Sequence, residues 1–116
     1  MVRPHYNLAA WKLAMALVKN VYQATRAFPQ EEIYGLTAQM RRAAVSIPSN
    51  LAEGAARTGR KEFAQFLSIA KGSLSELETQ LLISAELGYL DAAHALFELV
   101  EDVSRVLSGL HKSILR

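Results

Sequence analysis

The 116-residue sequence contains no cysteine, so it has neither a disulfide framework nor thiolate chemistry. A chain without cysteine fits a reducing compartment. The six glycines are scattered, and no Walker loop or Gly-x-Gly-x-x-Gly motif occurs. The length suits a single domain with a real hydrophobic core. Disulfide-stabilised folds and the common nucleotide-binding motifs are therefore excluded.

Long hydrophobic runs are also missing. The first six residues lack the continuous apolar segment of a signal peptide. No uninterrupted apolar stretch approaches the roughly 20 residues that cross a bilayer. We therefore expect a soluble, cytoplasmic protein with no membrane partner.

The net charge is only +2, but it is unevenly distributed along the chain. Residues 1–61 carry nine cationic side chains against three carboxylates, whereas residues 62–116 carry four against eight. This asymmetry suggests either an anionic partner for the first half or pairing between the two halves. Composition alone does not choose between them.

Apolar residues recur at alternating spacings of three and four in four segments, which predicts four amphipathic helices near residues 7–27, 36–56, 60–87 and 91–115. The short gaps between them predict antiparallel neighbours, and thus one all-α domain over residues 1–116, an up-and-down four-helix bundle. The predicted core stripes are Leu8, Trp11, Met15, Val18, Tyr22 and Thr25; Leu36, Met40, Ala43, Ile47, Asn50 or Leu51, and Gly54; Phe63, Leu67, Ala70, Leu74, Leu77, Leu81 and Ser84; and Leu96, Leu99, Val103, Val106, Leu110 and Ile114.

Five residues predict local features of these helices. Asn7 and Asp91 are candidate N-caps of the first and fourth helices. Pro48 should kink the second helix without ending it, because the apolar phase continues beyond it. Gly72 lies inside the third helix, where it predicts a close helix contact, and Gly88 is expected to end that helix.

The apolar content of 51% exceeds what one small core needs. Residues outside the main stripes, such as Leu13, Leu17, Leu82 and Ile83, would leave apolar surface on a monomer. One alternative is that they only widen the stripe of an ordinary bundle helix. The surplus nevertheless favours a homo-oligomer.

Candidate catalytic and metal-ligating groups are few. The nearest approach to the Glu-x-x-His pairs of a di-iron bundle is Asp91-x-x-His94, and it occurs once. No Gly-x-Ser-x-Gly motif is present, and no serine and histidine are obviously brought together. The carboxylates of the last two helices are more simply a solvated face. We expect no enzymatic activity, cofactor, metal or small-molecule substrate.

Two basic clusters are the positive signals, Arg41-Arg42 and the group Arg57, Arg60 and Lys61. Arg41 and Arg42 are expected on the outer flank of the second helix, and the other three lie where it turns into the third. Arginines and helix N-termini favour phosphate oxygens, so the clusters are candidate contacts to a nucleic-acid backbone. The alternative is that Arg57 pairs with Glu53 one turn earlier and the others solubilise the surface or bridge subunits.

Several motifs together resemble a known family, the four-helix-bundle proteins encoded in intervening sequences of bacterial 23S ribosomal RNA genes. The resemblance extends from Trp11 to Leu90, and a related bundle is the accessory protein of diversity-generating retroelements. The matching motifs are Phe28-Pro29, Glu32-x-Tyr34-Gly35-Leu36, Gln39-x-Arg41-Arg42-Ala43, Ser46-Ile47-Pro48-x-Asn50-Leu51-Ala52-Glu53-Gly54 and Ala70-x-Gly72-Ser73-x-x-Glu76-Leu77.

The resemblance implies an all-α bundle that assembles into a five-subunit ring. It also implies association with structured RNA or DNA through a basic surface, without enzymatic activity. Both are expectations that the family likeness adds to the reading of charge and periodicity.

Overall fold

A computed structural model of the chain describes residues 3–116, and it confirms the predicted all-α four-helix bundle. Two short 3-10 turns, Pro4–Asn7 and Gln30–Glu32, precede the first and second helices. Within residues 3–116, none of the helices is long and apolar enough to cross a membrane. The helices are α1 (Ala9–Thr25), α2 (Leu36–Ala55), α3 (Arg60–Glu86) and α4 (Ala95–Leu115).

The helices run antiparallel to their chain neighbours. The Ser84 hydroxyl, near the end of α3, donates to Met40 Sδ near the start of α2 at 3.4 Å. At the other end of this pair, Gly54 packs against Phe63 and Phe66. Because α1 also packs against α2 and α4, and α3 against α2 and α4, each helix has two neighbours around one core.

The α1 core stripe differs from the prediction. Met15 is 46% exposed and Tyr22 is 38% exposed, so the predicted stripe forms a flank of α1 except for Thr25. α1 is apolar on two adjacent stripes, and the prediction chose the one with the larger side chains. The inner stripe instead begins with two alanines, whose small size suits a helix packed against two neighbours. The buried residues of α1 are Ala10, Ala14, Leu17, Val21 and Thr25.

The stripes of α2 and α3 are confirmed over most of their length. Predicted core positions from Met40 to Gly54 and from Leu67 to Ser84 are buried, and Leu51 rather than Asn50 takes the disputed position. In α4 the buried residues are Leu96, Val100, Val103 and Leu107. Of the six predicted positions, Leu96 and Val103 are thus buried, two are displaced by one residue, and Leu110 and Ile114 are partly buried against the core, because α4 too has apolar residues on both flanks of its core stripe.

The start of α4 lies at Ala95, four residues later than predicted. The prediction of Asp91 as its N-cap is wrong, because Asp91 Oδ1 instead accepts from the Ala93 backbone N–H at 2.8 Å in the preceding turn. His94 is the N-cap, and its Nδ1 accepts from the Leu96 N–H at 3.1 Å. Both residues of the Asp91-x-x-His94 pair thus accept hydrogen bonds from the backbone.

Of the other two predicted helix-end residues, Asn7 is wrong and Gly88 is confirmed. Asn7 does not cap α1, since Leu8 occupies that position with an extended backbone and no side-chain cap. Gly88 follows α3 with a positive φ of 78°. The Gly88 N–H bonds the Ala85 carbonyl and the Tyr89 N–H bonds the Ser84 carbonyl. This is the Schellman arrangement expected of a glycine at a helix end, so that prediction is confirmed.

As predicted, the proline inside α2 does not end the helix, whereas the close helix contact lies at a different glycine from the one predicted. α2 continues as a single helix through the buried Pro48. The close helix contact is at Gly54, where an added Cβ would lie 2.8 Å from Phe66 Cβ. Gly72 is exposed, and an added Cβ there would meet nothing within 4 Å, so the prediction of a close contact within the bundle is wrong.

Candidate nucleic-acid interface

The turn between α2 and α3 carries three of the predicted basic residues at one end of the bundle. α2 ends at Ala55 and α3 begins at Arg60, so the chain reverses within four residues. Gly59 is the N-cap of α3 and offers no side-chain cap to the first N–H groups. Arg60 and Lys61 are therefore exposed beside the electropositive start of a 27-residue helix.

Arg57 is held by two contacts within the bundle. Its guanidinium lies 3.5 Å from Glu53 Oε1 and 5.1 Å from the centre of the Phe66 ring. The predicted pairing with Glu53 is thus present, with 45% of the Arg57 side chain exposed. An exposed ion pair of this kind is worth at most about 1 kcal/mol, and it leaves guanidinium donors free for an anion.

Arg60 connects the turn to the end of α4. Its Nη1 donates to the Arg116 backbone carbonyl at 2.9 Å. Arg60, Lys61, Ile114 and Arg116 line one shallow depression there. Because α4 ends here, Lys112 and Arg116 join the three residues of the α2–α3 turn on the same end of the molecule.

Charge is separated along the long axis of the bundle as strongly as between the two halves of the sequence. The half of the bundle built from residues 3–17, 46–73 and 106–116, termed the basic half, has eight cationic side chains and two carboxylates. The other half, residues 18–45 and 74–105, is termed the acidic half and has five cationic side chains and nine carboxylates. Each helix thus runs from the half with net positive charge to the half with net negative charge, or the reverse.

Sequence reasoning missed Lys112 and Arg116, because it divided the chain at its midpoint. The signal was available in the predicted topology. Antiparallel helices place the start of α1, the end of α2, the start of α3 and the end of α4 together. Summing charge by helix end would have identified the basic half.

Arg41 and Arg42 lie in the acidic half, away from the turn. Sixteen residues of helical rise separate Arg41 from Arg57, about 24 Å. Arg41 is half-buried and not on the outer flank: its Nε donates to Thr25 Oγ1 at 2.9 Å, and its guanidinium lies 4.6 Å from the Tyr22 ring centre. Arg42 is exposed as predicted. The structure thus keeps the two predicted clusters apart.

The chemistry available at this end is anion binding. Within residues 3–116 there is no group of three or more histidines and carboxylates that could hold a metal ion. Exposed guanidinium and ammonium groups around a helix start suit phosphate oxygens, which accept hydrogen bonds and attract positive charge. Nothing in these contacts selects one base over another.

The chain is therefore a four-helix bundle with a cationic end and no metal-binding cluster in its described part. It belongs to the 23S rRNA-intervening sequence protein family, whose family model matches residues 6–109. No match was found among curated proteins. The matched range includes Arg57, Arg60 and Lys61, along with Arg41 and Arg42.

Proposed function

We propose that this protein is a non-enzymatic, self-assembling protein that binds structured RNA or DNA through its basic half. The observation that carries the proposal is the gathering of Arg57, Arg60, Lys61, Lys112 and Arg116 at one end of the bundle. Phosphate contacts supply most sequence-independent nucleic-acid affinity, and a rigid cationic end can meet several phosphates at once.

Self-assembly would strengthen this binding. One bundle end offers few phosphate contacts, whereas several linked copies act with a raised effective concentration. The family resemblance implies a five-subunit ring, and the exposed apolar side chains, which occur on all four helices, support association. The lack of cysteine supports a cytoplasmic setting. The relation to the accessory protein of diversity-generating retroelements stays a prediction.

A fluorescence-anisotropy titration tests nucleic-acid binding. The probes are an RNA hairpin and a DNA duplex with the same stem sequence, each titrated at several salt concentrations. The test variant replaces Arg57, Arg60 and Lys61 by alanine. We expect its affinity to fall by about tenfold or more, and the slope of log affinity against log salt to decrease by about 2 to 3.

A matched control removes the same charge from the acidic half. It replaces Lys19, Arg26 and Arg105 by alanine, all exposed, with Arg105 paired to Asp102 at 2.7 Å much as Arg57 pairs with Glu53. We expect this control to bind nearly as wild type. Equal losses in both variants would indicate only a net-charge effect, and unchanged binding in the test variant would contradict the proposal.

The opposite charges of the two halves favour a second candidate, a protein-interaction scaffold in which the basic end of one copy meets the acidic end of another. That contact would occupy the residues that the first proposal gives to phosphates. It predicts an assembly that dissociates at high salt and has negligible nucleic-acid affinity. Sedimentation at low and high salt, with and without the RNA hairpin, separates the two.

A further inference from the structure

A groove opens on the side of the bundle between α1 and α2. It has a volume of about 580 Å³ and is lined mainly by apolar groups. Tyr22 is 38% exposed, Val45 41% and Ile33 49%, although all three are large hydrophobic residues. We name this feature the α1–α2 groove; its lining includes Tyr22, Ile33, Ala38, Arg41, Arg42 and Val45.

An exposed stripe follows the outer face of α3. Its residues recur at alternating spacings of three and four, which places them in one line along the helix. Ile69 is 51% exposed and Ile83 is 44% exposed. We name this feature the α3 ridge; it consists of Ile69, Gly72, Glu76, Thr79, Ile83 and Glu86, all exposed.

The groove and the ridge are complementary in three respects. The groove is concave and the ridge is convex, both have large exposed aliphatic side chains, and their charged borders have opposite sign. Arg41 and Arg42 border the groove, whereas Glu76 and Glu86 lie on the ridge.

Gly72 adds an argument from helix energetics. A glycine inside a helix costs about 1 kcal/mol relative to alanine, and nothing within its own chain approaches Gly72 closely enough to need it. A missing side chain near the start of the ridge would let another backbone approach α3 closely there. The occupant of the groove that these features fit is a second copy of this chain.

We propose that the α3 ridge of one copy docks in the α1–α2 groove of the next, so that the copies assemble head to tail. The inference rests on the self-assembly proposed above and names the two surfaces that form it. A concave patch cannot pair with itself about a two-fold axis, so the contact joins unlike surfaces. Repetition of such a contact closes into a ring when the rotation permits. Arg42 thereby has a role between subunits rather than at phosphates.

Two single-face variants test the contact. Val45→Asp places a charge in the groove, and Ile83→Asp places one on the ridge, both at exposed positions where the isolated bundle has room. Burying either carboxylate in an apolar contact is unfavourable, so each variant alone should sediment as the 12.8 kDa monomer. Leu115→Glu, at a 65% exposed position outside both surfaces, is the matched control and should assemble as wild type.

An equimolar mixture of the two variants gives the decisive result. Val45→Asp retains an intact ridge and Ile83→Asp retains an intact groove, so the mixture should form a heterodimer of two chains and nothing larger. A contact between the two altered surfaces would bury two carboxylates in an apolar contact, so these surfaces should not pair with one another. Wild type should form assemblies of at least three chains.

The possible failures are distinguishable. A wild type that sediments as a monomer would overturn both the proposed self-assembly and this contact. A wild type that assembles while the mixture stays monomeric, or while either variant alone still assembles, would overturn only the pairing of groove and ridge. Nucleic-acid binding is measured separately, with the probes described above.

Discussion

The Tyr89 hydroxyl donates to Glu32 Oε2 at 3.1 Å, across the acidic half of the bundle. The other oxygen of the same carboxylate, Oε1, accepts from the Leu36 backbone N–H at 3.2 Å in the first turn of α2. The Tyr89 ring also packs against Phe28, with 5.4 Å between ring centres. One carboxylate thus joins the α3–α4 loop to the start of α2, where Gly35 provides no side-chain cap.

We expect Glu32→Ala to destabilise the protein by about 1 kcal/mol, because it removes a cap from α2 and the acceptor of the Tyr89 hydroxyl together. Urea unfolding followed by circular dichroism measures the change. Glu32→Gln retains an oxygen that can accept from Leu36 and should lose less. Equal losses in the two variants would show that the charge, and not the cap, matters.

A second prediction concerns alkaline pH. The hydrogen bond to Glu32, followed by desolvation and the negative charges of Glu32 and Glu31, raises the pKa of Tyr89 above its ordinary value of about 10. Since the folded pKa is above the unfolded one, the contribution is fully present below about pH 10 and is lost as the pH rises through the folded pKa.

The check compares the unfolding free energies of wild type and Tyr89→Phe from about pH 8 to about pH 11. The difference should be constant at the lower end and decrease at the upper end. The other tyrosines titrate in both proteins and cancel in the comparison. A difference that does not change with pH would contradict the assignment of the hydrogen bond.

Gly54 gives a prediction about packing between α2 and α3. A Cβ there would lie 2.8 Å from Phe66 Cβ and 3.0 Å from Phe63 Cδ1, so the two helices would have to separate. We expect Gly54→Ala to destabilise by about 1–3 kcal/mol despite the better helix propensity of alanine. Gly109→Ala in α4 meets nothing within 4 Å and should instead stabilise by up to about 1 kcal/mol. Thermal unfolding of both variants under the same conditions measures the contrast.

Sequence periodicity predicted α2 and α3 well because each has one dominant apolar stripe. In α1, Met15 and Leu17 belong to two apolar stripes of similar strength, and periodicity alone cannot say which of them faces the core between α2 and α4. The choice depends on packing: Ala10 and Ala14 let the neighbouring helices approach, whereas the larger outer stripe does not. Packing against the neighbouring helices, and not the sequence pattern, therefore determines which of the two α1 stripes is buried.

The sequence likewise predicted only part of the candidate site. Arg57, Arg60 and Lys61 were found because they are close in sequence, but Lys112 and Arg116 reach them only through the antiparallel fold. Counting charges along the sequence also could not show that Arg41 is half-buried against α1. Its partners are distant in sequence, and each contact depends on the crossing of two helices.

Arg41 and Arg42 are adjacent in sequence but should respond differently to substitution. Arg41→Ala removes the hydrogen bond to Thr25 Oγ1 and the guanidinium packing on Tyr22, contacts that join α1 to α2. Thr25 keeps its bond to the Val21 carbonyl at 2.8 Å, so no buried hydroxyl is left without a partner. We expect a loss of about 1 kcal/mol for Arg41→Ala and less than about 0.5 kcal/mol for Arg42→Ala.

The comparison requires the stability of the bundle without the contribution of assembly, so both substitutions are best made in the Ile83→Asp background at low protein concentration, because an aspartate at position 45 would pair with both arginines one turn away. Urea unfolding gives the free energies, and anisotropy with the RNA hairpin gives the binding. If Arg41→Ala left stability unchanged but weakened RNA binding as strongly as loss of Arg60 does, Arg41 would be a phosphate contact. The expected result is the reverse, because the Arg41 guanidinium is already occupied by Thr25 and Tyr22 of the neighbouring helix.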